Sequence, residues 1–348
     1  MTHVYTGPKL ELAHTAMSEA EALAFLEGHR LSRGHRTMDP KAQIVGEFVK
    51  SIRVPGYYPP LPELRQQLRT MVTLMDEPAP ALPRIQDISI PGPAGAIPAR
   101  VYDPRGDAGR PRPALVYFHG GGWVQGDLET HHGLCARLAL RSGAIVVAVD
   151  YRLAPEHKFP AAVEDSLAAY RWVRSHGGEI GVDSARVGVA GDSAGGNLAA
   201  VVSQLAASAG APVPDCQVLI YPALDFRFDT PSHQELEDGH VIPRDRIVWY
   251  AKQYLRGEAD RADLRASPLR AANLAGQPAA LVITAGFDPL RDEGRAYAER
   301  LSAAGVAAVH HEYPGQIHAF VSLTRAIPQG MACTLEIGDY LRKRFGAA

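Results

Sequence analysis

A serine with glycine two positions away on either side, in Gly191-Asp192-Ser193-Ala194-Gly195-Gly196, stands between a short apolar run at 187–190 and an Ala- and Leu-rich run from Asn197 onward. The first run predicts a buried strand and the second a helix. The chain must therefore reverse within a few residues, and small residues on both sides of the serine permit that turn. This commits the segment to a strand, a tight elbow and a helix, with the serine hydroxyl raised at the helix N-terminus, where the backbone dipole favours developing negative charge. A G-x-S-x-G match arises by accident in roughly one chain of this composition in eight, so its surroundings must decide what the elbow is for.

Those surroundings alternate. Residues 85–90 and 97–102 read as an antiparallel pair across a Pro-Gly turn. Apolar strands are then predicted at 114–118, 144–149, 216–221, 280–285 and 307–313, with helices at 134–142, 161–175, 291–304 and near 333–345. The pattern predicts an α/β chain with a mostly parallel, helix-flanked sheet. Residues 1–82 read differently, as a strand-free segment with helices at 18–27, 42–51 and 61–75, closed by Pro78, Pro80 and Pro83. Between Tyr221 and Leu281 lie some sixty residues where about half would make an ordinary crossover. They carry Phe226, Phe228, Trp249, Tyr250 and Tyr254, which read as exposed, and the stretch is expected to form a lid above the strand ends.

Composition limits the partners. The chain has 348 residues, 46% apolar and 21% charged, with a formal charge of -2, so it has no field to attract nucleic acid or an anionic membrane. No apolar window is long enough for a membrane span. Cys135, Cys216 and Cys333 are odd in number and widely spaced, which argues against a disulfide framework or a zinc ribbon and suits a reducing, cytoplasmic setting. His311-Glu312 lacks the second histidine of a zinc helix, and no phosphate-binding glycine loop is present, so no metal and no cofactor are expected. The expected partner is a small molecule, with a homodimer left open.

One strand–helix unit before the elbow comes His119-Gly120-Gly121-Gly122-Trp123. Consecutive glycines leave backbone N–H groups unobstructed, as an oxyanion hole requires. A serine nucleophile also needs a base and a group to orient it, which in such a sheet follow in the order acid, then histidine. Five histidines lie after Ser193. His233 and His240 fall in the lid, and His310 and His311 lie within a strand, so His318, in a loop past a strand end, is the expected base. Asp288 follows a strand directly and is the first choice of acid. Asp292 and Glu293, in the first turn of the next helix, remain alternatives.

Together, His119 to Trp123, Asp150-Tyr151-Arg152-Leu153-Ala154-Pro155-Glu156, Gly191 to Gly196, and Asp288 to Glu293 with the His318 loop resemble the hormone-sensitive-lipase-like family of bacterial carboxylesterases. The resemblance spans about residues 83–345. It implies the α/β-hydrolase fold, an eight-stranded sheet in a catalytic domain at 83–348, and a helical cap drawn from residues 1–82 and an insertion at about 222–265. It also implies a triad of Ser193, His318 and Asp288, oxyanion donors on Gly121, Gly122 and Ala194, and support of the oxyanion loop by His119 and Gly120. Trp123 and Asp192 are assigned to substrate binding. Where many members have glycine after the histidine, this chain has Ala319. The expected activity is hydrolysis of short- to medium-chain carboxylic esters. Amidase or long-chain lipase action on the same triad is the alternative, as is a non-catalytic ligand receptor on this fold, which would lack the histidine.

Overall fold

The computed structural model describes residues 5–106 and 109–346. Its first helices, α1 (Glu19–Phe25), α2 (Pro40–Ser51) and α3 (Leu61–Met75), start where the sequence supplies capping chemistry. At α1 the Ser18 hydroxyl accepts from the Glu21 amide while the Glu21 carboxylate accepts from the Ser18 amide. At α2 the Asp39 carboxylate takes the amides of Lys41 and Ala42, and Pro40 occupies the first helical position. Residues 1–82 were expected to lack strands, yet Ser32–Arg33 and Arg36–Thr37 form a small antiparallel ribbon. Each arm is only two residues long, too short to carry a readable period.

Beyond Pro83 the chain alternates as the apolar runs predict. In chain order come β1 (Arg84–Gly92), β2 (Gly95–Asp103), β3 (Arg112–Phe118), α4 (His132–Ser142), β4 (Ile145–Val149), α5 (Ala161–His176), β5 (Val182–Asp192) and α6 (Ala194–Ser208). After β6 (Cys216–Ile220) the insertion contributes α7 (Pro231–Glu235) and α8 (Arg244–Tyr254). The sheet then resumes with β7 (Ala279–Phe287), α9 (Arg291–Ala303), β8 (Ala308–Ile317) and α10 (Gln329–Phe345). The eight strands lie in the order β8-β7-β6-β5-β3-β4-β2-β1, and β2 alone runs against its neighbours.

Period-two burial builds two cores from this sheet. Ala114, Val116 and Phe118 of β3 pack with α5 and α6 on one face, while Leu115 and Tyr117 pack with α4 and α10 on the other. A parallel sheet covered on both faces offers substrates its strand ends, and Ser193, Asp288 and His318 all follow carboxyl ends of strands. Among the described residues no helix is long and apolar enough to cross a membrane.

The N-terminal helices and the insertion touch each other. Lys50 pairs with Asp238 at 2.8 Å, His240 Nε2 lies 2.9 Å from Glu47, Arg53 donates to the carbonyls of Gly239 and His240, and Tyr58 stacks on Trp249 at 4.5 Å. The insertion's aromatics are not exposed as their sequence context suggests. Phe226, Phe228, Tyr250 and Tyr254 are buried and Trp249 is half-buried, because Trp123 stacks on Tyr254 at 4.5 Å and Phe226 packs 5.2 Å from Trp123.

Candidate active site

The elbow is built as its glycines require. Ser193 sits at φ 54 and ψ -116, between the end of β5 and the start of α6, and its amide donates to the Ile220 carbonyl at 2.8 Å. A methyl group on Gly191 or Gly195 would overlap the Phe118 carbonyl, so neither position accepts a side chain. Such a positive φ at a non-glycine residue costs energy and persists only where the surroundings hold it.

His318 leaves β8 and points its Nε2 at the Ser193 hydroxyl, 2.9 Å away. Its Nδ1 lies 2.7 Å from Asp288 Oδ2, and the other oxygen of that buried carboxylate accepts from the Leu290 amide at 2.9 Å. Of the three candidate carboxylates only Asp288 reaches this imidazole. Asp292 accepts from Arg291 Nε and the Ser232 amide, while Glu293 faces His233 and accepts from the amides of Leu224 and Asp225. The remaining late histidines are engaged elsewhere: His240 with Glu47, His310 with Thr284 and His311 with Glu336. Ala319, next to His318, adopts φ 66, the left-handed region in which glycine would be unstrained.

The glycine run meets Ser193 from across the site. Gly121 at φ 121 and Gly122 at φ 63 line the same cavity as Ser193 and His318. Among the described residues, the amides of Gly121, Gly122 and Ala194 donate to no protein acceptor. Amides without protein acceptors, two of them on residues of the cavity that Ser193 lines, are donors available to negative charge. Gly122 also lies so near the Tyr250 ring of α8 that a methyl group there would displace it.

Asp192 lies beneath the glycine run. It lines the cavity, but its carboxylate accepts from the Tyr117 hydroxyl and the Gly120 amide, each at 2.8 Å, and lies 3.1 Å from His131 Nε2. It therefore pins the start of the glycine run from the cavity wall. Burial pushes the Asp192 carboxyl up, but the His131 charge, with hydrogen bonds from His131 and Tyr117, holds it below the usual carboxylate range. Burial likewise opposes a charge on His131, and Asp192 outweighs it and raises that imidazole. No spacing in the sequence marks His131 or Tyr117; only the fold brings them beneath the loop.

His119 supports the loop in another way. Its Nδ1 donates to the Gly120 carbonyl at 2.8 Å, its ring stacks on Tyr151 at 4.3 Å, and the Tyr151 hydroxyl donates to the His119 carbonyl at 2.7 Å. Burial, and then the nearby His131 charge, lower its pKa to about 4, so it is a neutral donor. Trp123, with φ 60, is buried and walls the cavity together with Phe226, Phe228 and Tyr250.

The cavity at Ser193 has a volume of about 160 Å³ and adjoins a second one of about 590 Å³ between α2 and α3. Val49, Leu68, Met71, Gln125, Val241 and Arg246 line both. Among the described residues no three His, Cys, Asp or Glu side chains are grouped so as to hold a metal ion.

Residues 115–322 match a family model described as the alpha/beta hydrolase fold. The carboxylic ester hydrolase LipN of Mycobacterium tuberculosis is 49% identical over 266 residues, covering 74% of this chain and 70% of that protein. An ethyl acetate hydrolase of Pseudomonas putida is 38% identical over 280 residues, covering 79% of this chain and 88% of that one. Among solved structures, a hyperthermophilic esterase from the archaeon Pyrobaculum calidifontis superposes with a TM-score of 0.80 at 42% identity, covering 87% of this chain and 96% of its own.

Proposed function

The chain belongs to the α/β-hydrolase family, in its hormone-sensitive-lipase-like carboxylesterase branch, and from that premise we propose that it hydrolyses short- to medium-chain carboxylic esters through an acyl-enzyme on Ser193. The observation that carries this reading is the unbroken line from Asp288 through His318 to Ser193, at 2.7 and 2.9 Å.

In this mechanism His318 Nε2 takes the Ser193 proton as Oγ attacks the ester carbonyl, and the amides of Gly121, Gly122 and Ala194 receive the charge of the tetrahedral intermediate. The imidazolium then gives its proton to the leaving alcohol. A water, deprotonated by the same nitrogen, then attacks the acyl carbonyl, and as the second tetrahedral intermediate collapses the imidazolium returns its proton to Ser193 Oγ, releasing the acid and free Ser193. Asp288 holds the Nδ1–H tautomer and stabilises the imidazolium in both halves. We assign the cap to residues 1–82 and about 222–265, a division supported by the contacts of Lys50, Arg53 and Tyr58 with the insertion. The free cysteines support a reducing, cytoplasmic setting.

The small aromatic-walled chamber at Ser193 supports the preference for modest acyl groups. Initial rates on 4-nitrophenyl esters from two to sixteen acyl carbons, with an anilide control, test it. We expect a maximum at short to medium chains and a far slower anilide. A maximum at the longest chains would make the protein a lipase, and a faster anilide an amidase.

A further inference from the structure

The wall shared by the two cavities carries polar groups that the esterase mechanism does not use. Arg246, in the first turn of α8, lines both chambers. Its Nε is buried without a partner, and its guanidinium carbon lies 5.6 Å from the centre of the Tyr58 ring. Among the described residues its guanidinium makes no hydrogen bond or ion pair. The adjacent Asp245 carboxylate accepts from the Arg246 amide and, at 3.4 Å, from the Tyr58 hydroxyl, and does not reach the guanidinium.

Two neighbours reinforce the observation. Gln125, more than nine-tenths buried, also lines both chambers, and its Oε1 has no partner. Its amide can turn either atom to a ligand. Arg53 borders the wider chamber, and its own donors are directed to the Gly239 and His240 carbonyls. Burial, and then the Arg246 charge, lower the Arg53 pKa, which places the two cations within each other's field. Among the acids nearby, Asp245 and Asp238 oppose the charge of Arg53 without a hydrogen bond to its guanidinium, Asp238 being paired with Lys50; Asp225 is paired with Arg227, Asp192 with His131, and Glu63 lies exposed on the outer wall.

An unpaired guanidinium in a mostly apolar chamber has its strongest complement in a carboxylate, which its planar fork can bind through two parallel hydrogen bonds. We propose that Arg246, assisted by Gln125, is a specificity-determining residue that selects esters bearing a carboxylate on the part of the substrate lying beside these two side chains. This rests on the esterase reading above. The carboxylate is carried either by the acyl group, as in a half-ester of a dicarboxylic acid, or by the alcohol.

The test compares kcat/KM of mono-4-nitrophenyl adipate with its methyl ester for the acyl side, and 3-carboxy-4-nitrophenyl acetate with 4-nitrophenyl acetate for the alcohol side. The wild-type enzyme should favour the acid of one pair by about ten- to a hundredfold, the worth of a charged hydrogen bond. That preference should shrink as salt is raised. Arg246→Gln should lower the acid-to-neutral ratio at least tenfold, Arg246→Lys should restore part of it, and Gln125→Leu should lower it by a smaller factor. A ratio of two substrates on one preparation is insensitive to how much of a variant folds. Equal wild-type rates within both pairs, or an unchanged ratio in Arg246→Gln, would overturn this inference alone. Absence of turnover on every ester would overturn the esterase reading beneath it.

Discussion

Two buried imidazole–carboxylate pairs take their acids from the start of α9, Asp288 just before the helix and Glu293 in its first turn, and they differ in where the second ring nitrogen leads. In His318 with Asp288, the free nitrogen opens onto Ser193 at the cavity wall. In His233 with Glu293, 2.6 Å apart, the other nitrogen has no partner and the ring is sealed. Glu293 spends its remaining capacity on the amides of Leu224 and Asp225, where the insertion leaves the sheet. Close pairing therefore does not make an imidazole a base. What distinguishes the two is that the far nitrogen of His318 reaches the Ser193 hydroxyl at the cavity wall.

The largest break in this comparison should come from Asp288→Asn, which keeps the shape but favours the wrong tautomer of His318. Turnover should fall on the order of ten-thousandfold, measured as kcat on a 4-nitrophenyl ester. Near-normal turnover would reassign the acid. Glu293→Ala should instead act on stability, by about 3–5 kcal/mol, because it removes one partner of a buried pair. Denaturant unfolding would measure this, and a loss under about 1 kcal/mol would mean that His233 finds another partner.

A third imidazole sharpens the contrast. His119 has no carboxylate in hydrogen-bond range, with Asp150 at 3.9 Å and Asp127, Asp192 and His131 as further charged or titratable neighbours. Its folded pKa of about 4 lies below the unfolded value near 6.5. Between those values the unfolded chain binds the proton that the folded one refuses. Stability should therefore rise with pH across the window and be lost as acid is added, by up to about 3 kcal/mol. Asp150 works in the opposite sense, since burial raises its pKa to about 6, but its side chain is 34% exposed and its contribution is screened. Asp150→Asn should accordingly steepen the acid loss, seen in unfolding curves at pH 7 and 4.5. Parallel curves for variant and wild type would break the argument.

The smallest effect is expected in the loop that carries His318. Ala319 at φ 66 is strained, and Ala319→Gly relieves the strain at the cost of added freedom in the unfolded chain. The two nearly offset, so a gain under about 1 kcal/mol is expected in the same unfolding assay. A clear loss would show that the methyl group packs more than it strains.

What could be read from the sequence follows from how locally it is determined. The elbow, the glycine run and the loops after β7 and β8 are backbone features, and Gly191, Gly121, Asp288 and His318 announce them through spacing alone. The strands and helices of the sheet were legible for the same reason. Residues whose work depends on distant partners were not. Phe226 and Tyr254 look exposed until Trp123 packs against them, and nothing in the sequence around Asp192 announces that Tyr117 and His131 hold it from behind. Glu293 resembles a helix-dipole carboxylate, and only the folded insertion reveals its hold on Leu224 and Asp225.

The contact of Tyr250 with Gly122 ties the roof of the chamber to the amides of the glycine run, the proposed oxyanion donors. Warming that loosens α8 should disorder those amides along with the doorway. The Arrhenius plot of kcat should therefore bend downward at a temperature where the sheet is still intact, so that heat silences the chemistry before it melts the protein.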